Sequence, residues 1–103
     1  MSTDTLGEKL RFIREQHELP LRKVAAILDI DVAILSKMER GERKLTKKVV
    51  LKLADLYNYN ADELLVSFLS DKIMCYIQDE DLGEMALKIT EQRVKYLKAN
   101  KNK

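Results

Sequence analysis

The chain has 103 residues, of which 46% are hydrophobic and 35% are charged, and its formal net charge is +2 at neutral pH. This length and composition suit one compact domain and little more, and they exclude disorder throughout the chain. A net charge this small identifies no binding partner, so the positions of the charges carry the information.

The first predicted helix runs from about Thr5 to His17. It ends before Leu19 and Pro20, because proline disfavours a helical conformation in the residue that precedes it. Its apolar stripe, at helical spacing, contains Leu6, Leu10 and Ile13, with Phe12 as a further candidate.

Two short helices joined by a tight turn are predicted next, from about Leu21 to Leu28 and from Val32 to Gly41. Asp29 occupies the turn, and Asp31 can cap the third helix. The positions where the two helices must touch are apolar: Val24, Ala25, Leu28, Ile30, Leu35 and Met38. The outer face of the third helix carries Val32, Ala33, Ser36, Lys37 and Arg40. This pattern is typical of a helix-turn-helix, whose second helix lies in the major groove of DNA.

Three longer helices complete the prediction. Thr46 is expected to cap a fourth helix over Lys47–Tyr57, and Asn60 to Glu63 has the pattern of a capping box at the start of a fifth. An acidic cluster at positions 79–81 marks the next boundary, since acidic side chains suit a helix N-terminus. A sixth helix is predicted from about Leu82 to Lys98, and residues 99–103 are expected to form a flexible tail.

The predicted organisation is an all-α DNA-binding domain over residues 1–67, followed by a helical dimerisation extension over residues 68–98. The extension presents more apolar side chains than a five-helix domain can cover, and exposed patches of this size usually mark association. The predicted dimer interface consists of Phe68, Leu69, Ile73, Ile77, Leu82, Met85, Ile89 and Tyr96. The alternative is that the sixth helix folds back on its own monomer.

Charge is unevenly distributed. From Arg40 to Lys52 there are six basic residues and one acid, whereas from Asp55 to Asp81 there are seven acids and one lysine. The basic stretch directly follows the predicted reading helix, where DNA phosphates would lie. The alternative interpretation is an ordinary solvated lysine face.

No catalytic, metal or cofactor site is predicted. His17 is the one histidine and is expected at the solvent end of the first helix, and no glycine-rich phosphate loop or metal-spaced cluster is present. Cys75 is the one cysteine, so an internal disulfide is excluded, and its apolar surroundings predict a buried inert thiol rather than a redox sensor. No apolar run approaches the length of a membrane span, and the N-terminus lacks the layout of a signal peptide, so a cytoplasmic location is predicted.

From Leu6 to Leu65 the sequence resembles the lambda-repressor/Cro (Xre-like) helix-turn-helix family. The resemblance rests on LRFIREQ before the motif, on VAAILDI and LSKMERGER within it, and on VVLKLADLYNYNADELL after it. It implies a five-helix lambda-repressor-like domain and a DNA-binding transcriptional regulator of bacterial or phage type. The stretch from Leu69 onward resembles C-terminal extensions of family members that accompany restriction–modification genes.

The resemblance also implies roles for individual residues. The family's base-reading positions correspond to Val32, Ala33 and Lys37, with Ser36 beside them. Arg14 and Glu39 correspond to an ion pair that holds the first helix against the motif; the alternative for Arg14 is a simple surface arginine. The implied phosphate contacts are Arg40, Arg43, Lys44 and Lys47. Leu21 stands where the family usually has a phosphate-contacting glutamine, so Arg22 or Lys23 is expected to substitute. Asp29 replaces the usual turn glycine. Aspartate tolerates the left-handed backbone conformation better than most residues do.

The predicted function is therefore that of a repressor or autoregulator that reads inverted-repeat operators as a homodimer. The base-reading set contains no glutamine or asparagine, so discrimination by each half-site is expected to be modest. The alternatives are a restriction–modification controller, or an antitoxin or adaptor whose C-terminal helices bind a partner protein and whose DNA binding is secondary.

Overall fold

The computed structural model describes residues 4–101, and over that range six α-helices are joined by short turns and loops, with no strand. The bounds are Leu6–Gln16 (α1), Leu21–Leu28 (α2), Val32–Glu39 (α3), Lys47–Leu56 (α4), Ala61–Ile77 (α5) and Gly83–Lys101 (α6). These elements confirm the predicted all-α fold. The described residues divide into a compact unit that ends at Asp71 and a second that starts at Lys72.

Local side chains fix the starts of three helices where the sequence predicted them. The Ala33 amide donates to Asp31 Oδ1 at 2.7 Å, the Val49 amide to Thr46 Oγ1 at 3.2 Å, and the Glu63 amide to Asn60 Oδ1 at 2.9 Å. Each bond satisfies an amide that has no partner within its own helix. The α1 helix begins in the same way, because Thr5 and Glu8 form a capping box.

The core of the first unit is formed by the apolar faces of α1 to α5. It contains the predicted Leu6, Leu10, Ile13, Val24, Ala25, Leu28 and Leu35, and from α4 onward it also contains Val50, Leu53, Ala54, Tyr57, Leu64 and Phe68. Within this core α3 packs against α1 and α2. The expectation for Phe12 was wrong: its side chain is 61% exposed, because it lies on the side of α1 that faces away from this core.

The beginning of α1 is held by a residue far along the chain. The Leu6 amide donates to Asp71 Oδ2 at 2.9 Å, so a carboxylate near the middle of α5 caps α1 together with Thr5. Phe68, one turn before Asp71, is 7% exposed and packs in the same core. Its assignment to a dimer interface was therefore wrong, because the first unit already covers it.

The second unit comprises the end of α5, the turn after it, and α6. Residues 84–101 are all exposed, as is Cys75, so the predicted burial of that thiol was wrong. The apolar neighbours of Cys75 in sequence lie on a part of α5 whose own side chains are largely exposed. The α6 helix continues to Lys101, past the predicted end at Lys98, where basic residues in its last turn favour the helix C-terminus. Residues 102 and 103 of the predicted tail lie outside the described residues.

Candidate nucleic-acid interface

The turn between α2 and α3 sets the position of α3. Asp29 adopts the left-handed conformation, with φ 58° and ψ 46°, as its place in the turn predicted. The Ile30 amide then donates to the Ala25 carbonyl at 3.0 Å, which closes the C-terminus of α2. Ala25 itself is 2% exposed, and a side chain of this size permits the close approach of α3.

The outer face of α3 presents the four predicted base-reading residues as one strip. Val32 and Ser36, and likewise Ala33 and Lys37, are four residues apart and therefore neighbours on the helix surface. Val32, Ala33 and Lys37 are exposed, and Ser36 is half-buried. The opposite face, with Leu35 and Met38, is buried in the first unit. The strip is thus open to a ligand while the helix that carries it is fixed from behind.

A buried ion pair fixes the C-terminal end of α3. Arg14 Nε and Nη2 donate to the two carboxylate oxygens of Glu39 at 2.9 and 3.1 Å, and Arg14 Nη1 donates to the Leu19 carbonyl at 2.9 Å. The Arg14 and Glu39 side chains are only 11% and 6% exposed. The hydrogen bond to Glu39 raises the pKa of the Arg14 guanidinium, outweighing the opposite effect of burial. One arginine thereby joins α1, α3 and the segment that leads into α2.

Backbone packing tightens the same junction. A Cβ atom at Gly7 would lie 2.6 Å from the carbonyl oxygens of Met38 and Glu39. The α1 backbone therefore approaches the end of α3 more closely than any other residue type would allow. Together with the ion pair, this contact leaves α3 little freedom to move relative to α1.

The six predicted phosphate-binding residues are all exposed and lie on three segments of the first unit. Two of them, Arg22 and Lys23, are in the first turn of α2. The loop from α3 to α4 carries Arg40, Arg43 and Lys44, and Lys47 is the first residue of α4. The complete set is Arg22, Lys23, Arg40, Arg43, Lys44 and Lys47. Lys48 and Lys52 are also exposed on α4 and extend the basic stretch.

The structure adds an acidic neighbour that the sequence analysis did not predict. Arg40 Nε lies 3.4 Å from Glu42 Oε2, and both side chains are about half exposed. The contact depends on the chain reversal after α3, where Gly41 adopts a φ of 78° and the Glu42 amide donates to the Lys37 carbonyl at 2.8 Å. The spacing in sequence did not predict that Glu42 would contact Arg40, one of the predicted phosphate-binding residues.

Leu21 is half-buried and packs against the core of the first unit. The residue that replaces the polar side chain expected at this position therefore serves packing. Within residues 4–101 no group of histidine, cysteine and acidic side chains is placed to hold a metal ion, and no helix there is long and apolar enough to cross a membrane.

Comparisons with known proteins agree with this geometry. A family described as helix-turn-helix matches residues 10–64. The chain is also 33% identical over 64 residues to a Bacillus subtilis (strain 168) protein named as an uncharacterized HTH-type transcriptional regulator, YazB. That alignment covers 62% of this chain and 93% of the relative. No solved structure matches the chain.

Proposed function

The chain belongs to the helix-turn-helix family of the lambda-repressor (Xre-like) type and is a DNA-binding transcription regulator, and from this premise we propose a homodimeric repressor or autoregulator that reads inverted-repeat operators. The observation that carries the proposal is the exposed strip on α3, held from behind by the buried pair of Arg14 and Glu39. A rigid, outward-facing second helix is what reading of the major groove requires. Members of this family typically act by binding rather than by catalysis.

Base recognition in this proposal is divided among few groups. Lys37 can donate to guanine O6 or N7, and Val32 and Ala33 can pack against a thymine methyl group. Ser36 can donate or accept one hydrogen bond. Because the strip contains no glutamine or asparagine and offers few hydrogen bonds, each half-site is expected to discriminate modestly. DNA shape and the use of two half-sites would then supply the rest of the specificity.

The basic residues around the strip would bind the DNA backbone. Their exposed positions on α2, after α3 and at the start of α4 suit contacts to phosphates on either side of a groove occupied by α3. Each phosphate neutralised would release counterions, so binding should weaken as salt rises. The residues proposed for this role are Arg22, Lys23, Arg40, Arg43, Lys44 and Lys47.

The proposal of a homodimer rests on exposed apolar side chains of α5 and α6. Leu69 and Ile73 are 56% and 46% exposed, and Leu82, Met85, Ile89 and Tyr96 are between 52% and 70% exposed. Ile77 is half-buried. Apolar exposure on this scale usually marks association. A dimer would place its two reading helices about 34 Å apart, one turn of DNA, on an inverted repeat.

Selection from random DNA duplexes tests the proposal. The wild-type protein should select two inverted half-sites, and Lys37→Ala should change the preferred base at one position in each of them. Arg43→Ala should weaken binding to all sequences alike and reduce the slope of log affinity against log salt by about one. Arg11→Ala, on the exposed side of α1, is the matched control and should alter neither property. An unchanged selected sequence with Lys37→Ala would show that α3 does not read bases as proposed.

The exposed apolar residues of α6 also favour a second candidate, an antitoxin or adaptor whose C-terminal helices bind another protein. Purification from the native host separates the two. A partner recovered in stoichiometric amount would support the adaptor, whereas a homodimer that binds its operator without a partner would support the repressor.

A further inference from the structure

The charges of the second unit are divided between its two ends. Positions 79–84, in the turn before α6 and its first residues, carry Asp79, Glu80, Asp81 and Glu84 and no basic residue. Positions 93–101, the second half of α6, carry Arg93, Lys95, Lys98 and Lys101 and no acid. All eight side chains are exposed. The dipole of α6 is positive at its N-terminus and negative at its C-terminus, so the acids at the start and the bases at the end both stabilise the helix.

An apolar seam runs between these two ends on one side of α6. Leu82, Met85, Ile89 and Tyr96 recur at intervals of three, four and seven residues, which places them in one row along the helix. Met85 and Tyr96 are 65% and 67% exposed. Two copies of such a helix can pair their apolar rows in either direction. Their charges are complementary only when the helices run in opposite directions, so that the acids of one face the bases of the other.

We propose that α6 pairs with α6 of a second copy of this chain in antiparallel orientation, so that the acidic end of each helix faces the basic end of the other. This inference rests on the proposed homodimer and specifies how it is built. When the two-fold axis passes near Thr90, Met85 of one copy lies opposite Tyr96 of the other, and Glu80 lies opposite Lys101. Parallel pairing would instead bring four carboxylates against four carboxylates and four bases against four bases, which like-charge repulsion opposes.

Cysteine cross-linking tests the orientation without changing any charge. The exposed Cys75 is first replaced by serine, and Met85→Cys and Tyr96→Cys are then made as separate single-cysteine proteins. In an antiparallel pair the two Met85 positions lie about 16 Å apart along the helix axis, beyond the reach of a disulfide, which needs Cα atoms within about 7 Å. We therefore expect efficient cross-linking only when the two proteins are mixed.

A second experiment measures how the charges at the end of α6 affect the strength of dimer association. Lys98→Gln with Lys101→Gln removes part of the basic end, and Lys88→Gln, between the acidic and basic ends of α6, is the control. In the antiparallel dimer the double substitution should weaken association several-fold, up to about tenfold, since it removes attraction. In a parallel dimer the same change would strengthen association, because it relieves repulsion.

The outcomes distinguish this inference from the proposed function. A wild-type protein that is monomeric at high micromolar concentration by light scattering would overturn the dimer and this inference with it. A wild-type dimer in which Met85→Cys and Tyr96→Cys each cross-link with themselves, or in which no combination cross-links, would overturn the antiparallel α6 pair alone. Cross-linking confined to the mixture, together with weaker association of the lysine variant, would support it.

Discussion

Replacing Arg14 tests whether the position of α3 depends on the buried ion pair behind it. In Arg14→Ala the Glu39 carboxylate, 6% exposed, loses both of its hydrogen bonds from the guanidinium, and the Leu19 carbonyl loses one. Breaking one side of a buried, hydrogen-bonded pair costs about 3–5 kcal/mol, because the remaining charge is left without a partner. The free energy of unfolding of a small domain is only about 5–15 kcal/mol, so this change should be severe.

A comparison with an exposed pair isolates the effect of burial. Arg11 Nε lies 3.3 Å from Glu15 Oε2 on the same helix, but these side chains are 59% and 54% exposed. Arg11→Ala should therefore cost no more than about 0.5 kcal/mol. Arg14→Lys keeps the charge but cannot make the two-pronged contact, and it should fall between the two alanine variants.

Urea denaturation followed by circular dichroism gives the free energy of unfolding of each variant. The double variant Arg14→Met with Glu39→Leu should be more stable than Arg14→Ala, since no charge remains in the core. If Arg14→Ala lost less than 1 kcal/mol, or no more than Arg11→Ala, the pair would not be what holds α1 against α3. Operator binding, measured where each variant is folded, should fall in the same order as stability.

Three further predictions follow from individual contacts. Glu42→Gln removes the acid beside Arg40, so affinity for all DNA sequences should rise a few-fold in fluorescence anisotropy, and an unchanged affinity would mean that Arg40 does not meet phosphate. Gly7→Ala forces a Cβ against two carbonyl oxygens and should cost about 1–3 kcal/mol in urea denaturation; a neutral result would contradict the close approach of α1 to α3. Burial raises the pKa of Tyr57 from 10 to about 12, so the stability that this residue contributes is present below pH 10 and is lost as pH rises toward 12. Tyr57→Phe should flatten that fall in denaturation curves between pH 9 and 11.5, and an equal fall in both proteins would assign it to another group.

The helices and their starts could be predicted because the signals are local. Asp31, Thr46 and Asn60 each cap a helix whose first turn follows directly in sequence, and Asp29 forms the turn that its residue type permits. The cap from Asp71 to the Leu6 amide could not be predicted in this way, since the two residues are 65 positions apart. Only the packing of α5 against α1 brings them together.

The errors on Phe68 and Cys75 share one cause, which is that apolar periodicity does not show where along a helix the core ends. The apolar pattern of α5 continues without interruption from Phe68 to Ile77, yet Phe68 is buried and Cys75 is exposed. The difference depends on which turns of α5 are covered by the other helices of the first unit. In the candidate site, likewise, Glu42 meets Arg40 only because the chain reverses at Gly41. Which residues come into contact across a turn depends on the backbone angles of the turn as well as on their spacing in sequence.

DNA recognition and self-association are linked in the proposed mechanism. In this proposal each strip has one long donor, Lys37, and therefore discriminates only modestly between bases in its half-site. The strip of the second protomer would then contribute most of the gain in affinity over non-specific DNA. That gain is available only to the dimer, and the operator in turn stabilises the dimer by the same factor. The exposed seam and divided charges of α6 would therefore control operator affinity at low protein concentration without contacting DNA. Above the dissociation constant of the dimer, affinity would depend on α3 and its basic surroundings alone.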